Sequence, residues 1–374
     1  MVGQEGVDAM RVLSNADVAQ VLSMPLALAV LEQAFADAGE GLAATRGISH
    51  LLHARDEPDG TPAAYLFKTM EGLYPRYSAC AFQCTSVIRT WPTVEGVQRS
   101  VSRRPLPGNA LVGMIHLYSM DTGELLAMMP QGYVQWLRVA AVGALGTKYM
   151  ARAEATTLGV LGSGWHAKGA VRAHTLVREL TEILVYSPTE EHREGFAREM
   201  ESELGVPVRA VGKQEAVFGA DIVVGATDAL EPHVDPAWLR PGLHMTLVND
   251  WLLGLEGFQR CDRLGWGARN PQAGGRNEYY TLISYTKSGD PTKLGTLKIG
   301  HDYSWATERM VQLVELVRGN GVGRQSDQEV TVFTVSGQTG MQFAALGGKV
   351  LELARDQGLG HDLPAEWFYD EYNP

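Results

Sequence analysis

Hydrophobic positions change rhythm several times along the chain, and each change marks an element. Val18, Val21, Leu22, Leu26, Val30, Leu31 and Ala34 recur at the spacing of an amphipathic helix. Ser14 followed by Asp17 supplies a cap, and Met24-Pro25 divides this stretch into two helices, since proline suits a first helical turn. From Ile48 to Leu125 the pattern shortens to extended runs, HLLHA, AYLFKTM, ALVGMIHLYSM and ELLAMM, separated by DEPDG, PLPGN and DTG. These predict an antiparallel sheet, with Asp121-Thr122-Gly123 as a hairpin turn. Thr85 to Gly108, carrying Arg89, Arg99, Arg103, Arg104 and Trp91 without a clear period, reads as a surface excursion.

Gln131 to Ala151 returns to helix, with Val134, Leu137, Val139, Ala141, Val142, Leu145, Tyr149 and Met150 on a stretch rich in Ala and Gly. Beyond it the rhythm becomes strand, helix, strand, helix: TTLGVLG, a helix through Leu180, EILVYS, a helix from Glu190 to Leu204, VPVRAV, a short helix near Gln214, ADIVVGAT and HMTLVN. Such alternation is the signature of a parallel sheet covered by helices. The Gln131–Ala151 helix therefore bridges two domains. After Asp250 the pattern weakens, and Trp266 to Gly300 cannot be assigned from periodicity. A helix over Tyr303 to Arg318, a strand EVTVFTVSG and a closing helix from Met341 to Gln357 complete the reading.

Length changes the picture only by requiring more than one core: 374 residues at roughly 100 to 200 per domain means two or three domains. The formal charge of −11 argues against nucleic acid or an anionic membrane as the main partner. Cys80, Cys84 and Cys261 cannot all pair and show no zinc-ligand spacing, so a reducing cytoplasm is expected. The N-terminal residues lack the form of a secretion signal, and no run of about 18 apolar residues occurs, so neither export nor a membrane span is expected.

Chemistry enters at TLGVLGSGWHAKGAV. Gly162 allows a tight turn after a buried strand, Gly164 lets backbone approach a pyrophosphate, and Ala167 is the third small position. The helix that follows would aim its N–H groups at phosphates. The motif alone is weak; the strand-helix alternation around it makes it strong. The candidate dinucleotide residues are Gly162, Ser163, Gly164, Trp165, His166, Ser187, Thr189, Arg193, Ala226 and Thr227. The second strand ends Tyr186-Ser187-Pro188-Thr189 without a carboxylate, and His192 and Arg193 follow. That favours NADP over NAD, although Glu190 or Glu191 remains able to swing in and take a ribose.

The segment QWLRVAAVGALGTKYMARAEATTLGVLGSGWHA, with ADIVVGAT, PGLH and GRQSDQEVTVF in order behind it, resembles the ornithine cyclodeaminase and mu-crystallin family from about Arg11 to Gly358. The resemblance implies an α/β fold: a Rossmann-type doubly wound parallel sheet domain inserted into a second α+β domain for substrate binding and dimerisation. The expected boundaries are 1–135 for the N-terminal part of the substrate domain, 136–325 for the dinucleotide domain and 326–374 for the returning C-terminal part. A homodimer formed through the substrate domain's sheet is likewise implied.

By the same resemblance, Arg46, Lys68 and Arg138 match positions that face a substrate carboxylate, which guanidinium groups grip bidentately and a lysine holds as a point charge. Asp250, just after HMTLVN, matches an aspartate that acts on the amine or on water attacking an imine, with Glu256 six positions on. Lys68 and Asp250 are thus the candidate catalytic residues. Trp251-Leu252-Leu253-Gly254 replaces the Cys-Pro-Gly-Lys of cyclodeaminases, and Gln342 stands where the family pattern carries an aspartate. His50, His53, His116 and His244 are weaker candidates for moving protons. No metal is expected.

The resulting expectation is an NAD(P)-dependent oxidoreductase moving hydride at the α-carbon of an amino acid or cyclic imine. Two alternatives stay open: redox-neutral cyclodeamination of an amino acid with loss of ammonia, and a nonenzymatic NADPH-dependent ligand binder.

Overall fold

The computed structural model describes residues 9–370 except 56, 95, 105, 268–279, 286–303, 336 and 338, with 280–285 described as backbone. Strand β1 (Ala9–Val12) leads into α1 (Asn15–Val21), where Ser14 and Asp17 form a reciprocal capping box. Ser23 then caps α2 (Met24–Gly39), with Pro25 in its first turn. The sheet-forming region contains β2 (Ala44–Thr45), β3 (Ile48–Arg55), β4 (Ala63–Tyr74), β5 (Ala79–Thr90), β6 (Thr93–Val94), β7 (Val97–Gln98), β8 (Val101–Arg103), β9 (Val112–Ser119) and β10 (Leu125–Pro130). The β9–β10 hairpin turns through Asp121-Thr122-Gly123, where Gly123 takes φ +82°.

The excursion expected over Thr85 to Gly108 is corrected at its start. Through Thr90 the chain belongs to β5, which pairs along its length with β4 and also with β9. Its alternation was hidden because polar Gln83 and Thr85 share the buried face with Ala79, Ala81 and Val87.

Helix α3 (Gly132–Met150) is followed by β11 (Thr157–Leu161), α4 (Trp165–His174), β12 (Glu182–Tyr186), α5 (Glu190–Leu204), β13 (Val208–Ala210), β14 (Ile222–Gly225), β15 (His244–Leu247), α6 (Gly254–Gln259) and β16 (Arg263–Trp266). Then come β17 (Tyr280–Tyr285), β18 (Met310–Gln312), α7 (Leu313–Val317), β19 (Thr331–Thr334), α8 (Thr339–Asp356) and β20 (His361–Pro364). Most of Trp266 to Gly300 lies outside the described residues.

Two helix expectations are corrected. Helix α4 stops at His174 rather than Leu180, because Arg178 donates to the carbonyls of Thr147, Ala151 and Arg152 and ties this segment to the end of α3. The helix expected over Tyr303 to Arg318 is a 3-10 turn (Ser304–Arg309), β18 and α7. Pairing of Met310, Val311 and Gln312 with β16 overrides local propensity, and Gln312 then caps α7 with Glu315.

The strands form two main sheets. One is parallel throughout, in the order β13-β12-β11-β14-β15-β19-β16-β18; its first six strands run 3-2-1-4-5-6, the doubly wound arrangement. The other is mixed, in the order β17-β3-β4-β5-β9-β10-β1-β20, with β2 beside β4 and β8 beside β5. Helix α3 packs against α2 and α8 on one side and α4, β15 and β19 on the other. After β19 the chain crosses back, and α8 lies on β4 and β5. Gly72 and Gly340 permit that crossing, since a Cβ on either would overlap the other's backbone segment.

Among the described residues no single helix is long and apolar enough to cross a membrane; α1 and α2, which pass such a test only together, are bent by 78° and largely line the core. Among those residues no cluster of His, Cys, Asp and Glu is arranged to hold a metal ion.

Candidate active site

The parallel sheet places its glycine turn at the switch point between β11 and β14, where such sheets open a crevice. Gly162 has φ +111°, its N–H donates to the Tyr186 carbonyl at 2.8 Å, and a Cβ there would overlap the Ala226 carbonyl oxygen. Only glycine meets both demands. Gly164 caps α4, and the space its Cβ would occupy is open. A backbone cradle at a helix N-terminus therefore faces free volume, which fits the pyrophosphate of a dinucleotide.

At the neighbouring strand end, Ser187 is buried, accepts a hydrogen bond from Ser163 Oγ at 3.0 Å and donates to the Thr189 carbonyl. Arg193 folds back to the carbonyls of Ser187 and Pro188, while its Glu190 partner is largely exposed. Thr189 starts α5 without a side-chain capping bond. The strand end thus presents hydroxyls and one guanidinium. Trp165 stacks on Trp136, with centroids 5.7 Å apart and planes 5° apart, so the first turn of α4 is buttressed by α3.

Across the switch point, Ala226 donates to the Leu161 carbonyl and Thr227 follows it. Asp250 opens a 3-10 turn (Asp250–Leu252) at the C-terminal end of β15. The cap of that turn is Asn249, which accepts from the Trp251 N–H and donates to the Ala229 carbonyl. Asp250 is therefore not needed as the cap. Leu252 packs against Gly225, which keeps this turn beside the glycine turn.

The mixed sheet contributes cations. Register pairs His50 with Lys68 and Lys68 with Thr85 on β3, β4 and β5. Burial, reinforced by the Arg138 and Arg89 guanidinium groups, lowers the Lys68 ammonium to about 7. Arg138 projects from α3, is 7% exposed, donates to Gln135 Oε1 at 3.0 and 3.1 Å and to Gln342 Oε1 at 3.5 Å, and lies 5.6 Å from the Phe343 ring centroid. Gln342 is itself held by donating to the Gly337 carbonyl. A neutral amide thus stands beside Arg138.

His166 joins the two halves. It sits in the first turn of α4, its buried Nδ1 has no hydrogen-bond partner among the described residues, and burial with the fields of Arg138 and Lys68 lowers it to about 4. The imidazole is therefore neutral at physiological pH, and both cations disfavour its protonation. His50, likewise lowered to about 4 by burial, Lys68 and Arg89, completes the group. A Gln83, Thr85 and Gln131 triangle, bonded at 2.7 to 3.1 Å, braces the floor beside Lys68.

Of the residues singled out from sequence, Lys68, Arg138 and His166 are brought together. Arg46 is not: its side chain is 80% exposed and pairs with Glu71 at 3.8 Å. Glu256 lies exposed on α6, paired with Arg260. His53 is exposed, and His116 approaches the Phe82 carbonyl at 3.4 Å. His244 is buried in a chain of hydrogen bonds with Thr246 and Thr331. Arg89, which the sequence places in the Thr85 to Gly108 excursion, is not read as a site residue because its strand has no legible period.

Three comparisons bear on this geometry. Residues 98–254 match the ornithine cyclodeaminase/mu-crystallin family. The chain is similar to Delta(1)-pyrroline-2-carboxylate reductase of Bacillus cereus, 28% identical over 67% of this chain and 74% of the relative. It is also similar to ketimine reductase mu-crystallin of Rattus norvegicus, 30% identical over 48% and 55%. In fold it is similar to Thermococcus litoralis Delta(1)-pyrroline-2-carboxylate reductase in complex with NADH and L-proline, with TM-score 0.72, 24% identity and coverage of 95% and 100%. The glycine turn and Arg138 both lie inside the segment that matches the ornithine cyclodeaminase/mu-crystallin family.

Proposed function

We propose that this protein is an NAD(P)-dependent oxidoreductase that reduces an imine, or oxidises the corresponding amine, at the α-carbon of an amino acid. The observation that carries this reading is the joint between the two halves: Trp136, two residues before Arg138 on α3, stacks on Trp165 of the glycine turn and donates to its carbonyl at 2.8 Å, with His166 beside it in the fields of Lys68 and Arg138. A substrate carboxylate held by those cations would stand beside a dinucleotide held by the glycine turn.

Gly162, Ser163, Gly164, Trp165 and His166 would hold the pyrophosphate end, Ser187, Thr189 and Arg193 the adenosine end, and Ala226 and Thr227 the rim of the crevice. When bound, the nicotinamide supplies the hydride. Arg138 gives the carboxylate a bidentate partner, and Phe343 and Gln135 fix that guanidinium in place. Lys68 adds a charge that burial leaves ready to lose or gain its proton near neutrality. Asp250 exchanges the proton on the substrate nitrogen. The strand end without a carboxylate supports NADP over NAD, with the Ser187 and Thr189 hydroxyls and Arg193 set for an additional phosphate. The apolar outer face of β3 and β4, where Leu51 is 43% and Tyr65 is 36% exposed, supports a homodimer through the mixed sheet.

Trp251, Leu252, Leu253 and Gly254 hold no lysine, which favours imine reduction over cyclodeamination. Mass spectrometry of amino acids and cyclic imines incubated with NAD(H) or NADP(H) tests the reading. Net cofactor oxidation with an imine supports it; ammonia release without net cofactor change would replace it by cyclodeamination. Tight NADPH binding without turnover of any substrate would leave only a ligand binder. Titration of NADPH against NADH tests the cofactor preference.

A further inference from the structure

On one face of β3, β4 and β5 three rows of side chains lie in register. The first row is His50, Lys68 and Thr85; the next is Leu52, Leu66 and Val87; the third is Ala54, Ala64 and Arg89. The middle row is buried, and with Ala64 and Trp91 it forms a small apolar cluster of its own, against which Ala54 and Leu230 pack. Lys68 and Arg89 thus stand at opposite ends of an apolar floor, with backbone rows four residues apart, about 13 Å of strand.

Arg89 is the less expected of the two. Among the described residues its side chain makes one hydrogen bond, to a neutral partner, Ser100 Oγ at 3.3 Å, and forms no ion pair. Ser100 belongs to a loop anchored on the other half of the cleft: its N–H donates to the Asp228 carbonyl, Leu230 N–H donates to the Gln98 carbonyl, and Arg99 pairs with Asp228. Arg89 is thereby held under a closed corner, where burial disfavours its charge. Shielding a guanidinium from water without an anion is costly, so an anion supplied by a ligand would be strongly favoured there.

We propose that the substrate carries a second anionic group, and that Arg89 receives it across the Leu52, Leu66 and Val87 floor while Lys68 and Arg138 hold the α-carboxylate. The substrate class is then an α-imino or α-amino acid with an apolar linker and a distal carboxylate or comparable anion. This rests on the proposed placement of the α-carboxylate, and it specifies what lies at the far end. Leu66 and Val87 exclude a polar linker, and Arg89 selects against substrates with uncharged tails.

The test is calorimetric titration of the NADPH-loaded protein with the unreactive dicarboxylates succinate, glutarate, adipate and pimelate, and with the monocarboxylates of equal length. The expected result is that at least one dicarboxylate binds on the order of tenfold more tightly than its monocarboxylate. Arg89→Met abolishes that difference, so that each dicarboxylate binds no more tightly than its monocarboxylate; Arg89→Lys keeps a large part of it. Equal affinities across every pair in the wild-type protein would overturn the proposal even if Arg89→Met fails to fold, as would full selectivity in folded Arg89→Met. Because the readout is binding, a selective protein that turns over no imine would sink the oxidoreductase reading and leave this one standing.

Discussion

On the parallel sheet, the groups set for a dinucleotide are mostly backbone. Gly162 has no room for a side chain, Gly164 leaves space open, and the nearby side chains are short hydroxyls bonded to one another. On the mixed sheet, the groups set for a substrate are the long cationic side chains of Lys68 on β4 and Arg89 on β5, with Arg138 of α3 and the His50 imidazole of β3 in their field. The first half depends on where the chain can bend, and the second on which side chains the register brings together. Substitutions should therefore fail differently: steric changes break the dinucleotide half, and charge changes break the substrate half.

The largest effect should come from Asp250→Asn, which keeps size and removes the proton-accepting group. Turnover should fall by about 10² to 10⁴-fold, while NADPH fluorescence titration and the melting curve remain those of the wild type; unchanged turnover would remove Asp250 from the mechanism. Gly162→Ala attacks the other half. Forcing a Cβ against the Ala226 carbonyl at φ +111° should cost about 1–3 kcal/mol of stability in thermal or urea unfolding and weaken NADPH binding. A variant as stable as the parent would show that this turn has slack.

Arg138→Met should lower kcat/KM for an imino acid by about 10- to 100-fold, with NADPH affinity retained, which separates the two halves cleanly. The pH dependence is a smaller effect. The Lys68 value of about 7 means the ammonium is present below neutrality and lost as pH rises through 7. Affinity of the free enzyme for a carboxylate inhibitor should therefore weaken about fivefold between pH 7 and 8. Lys68→Arg, charged throughout, should flatten that profile, and a wild-type protein with no change across this range would remove Lys68 from the carboxylate site.

The two halves also differed in how readily they could be read. Periodicity located β11, the glycine turn and the α4 start, because a buried parallel strand is a continuous apolar run and a turn with positive φ demands glycine. It located α3 and Arg138, a charge interrupting an apolar helix. It did not find β5, whose inward face carries Gln83, Thr85 and Arg89 among apolar residues and so shows no apolar-polar alternation. Nor could it show that Arg46 would stand in solvent beside Glu71 while His166 would turn toward the cations.

What the sequence determined by itself were features set by neighbouring residues: caps, strand-helix alternation and a turn that tolerates no side chain. The tertiary structure alone decided which distant side chains meet. Strand register across β3, β4 and β5 placed Lys68 and Arg89 at the two ends of one apolar floor. The α8 crossing set Gln342 against Arg138. Pairings of this kind depend on contacts between segments far apart in the chain, and a shift of one residue in the register of β4 or β5 would turn Lys68 or Arg89 to the opposite face.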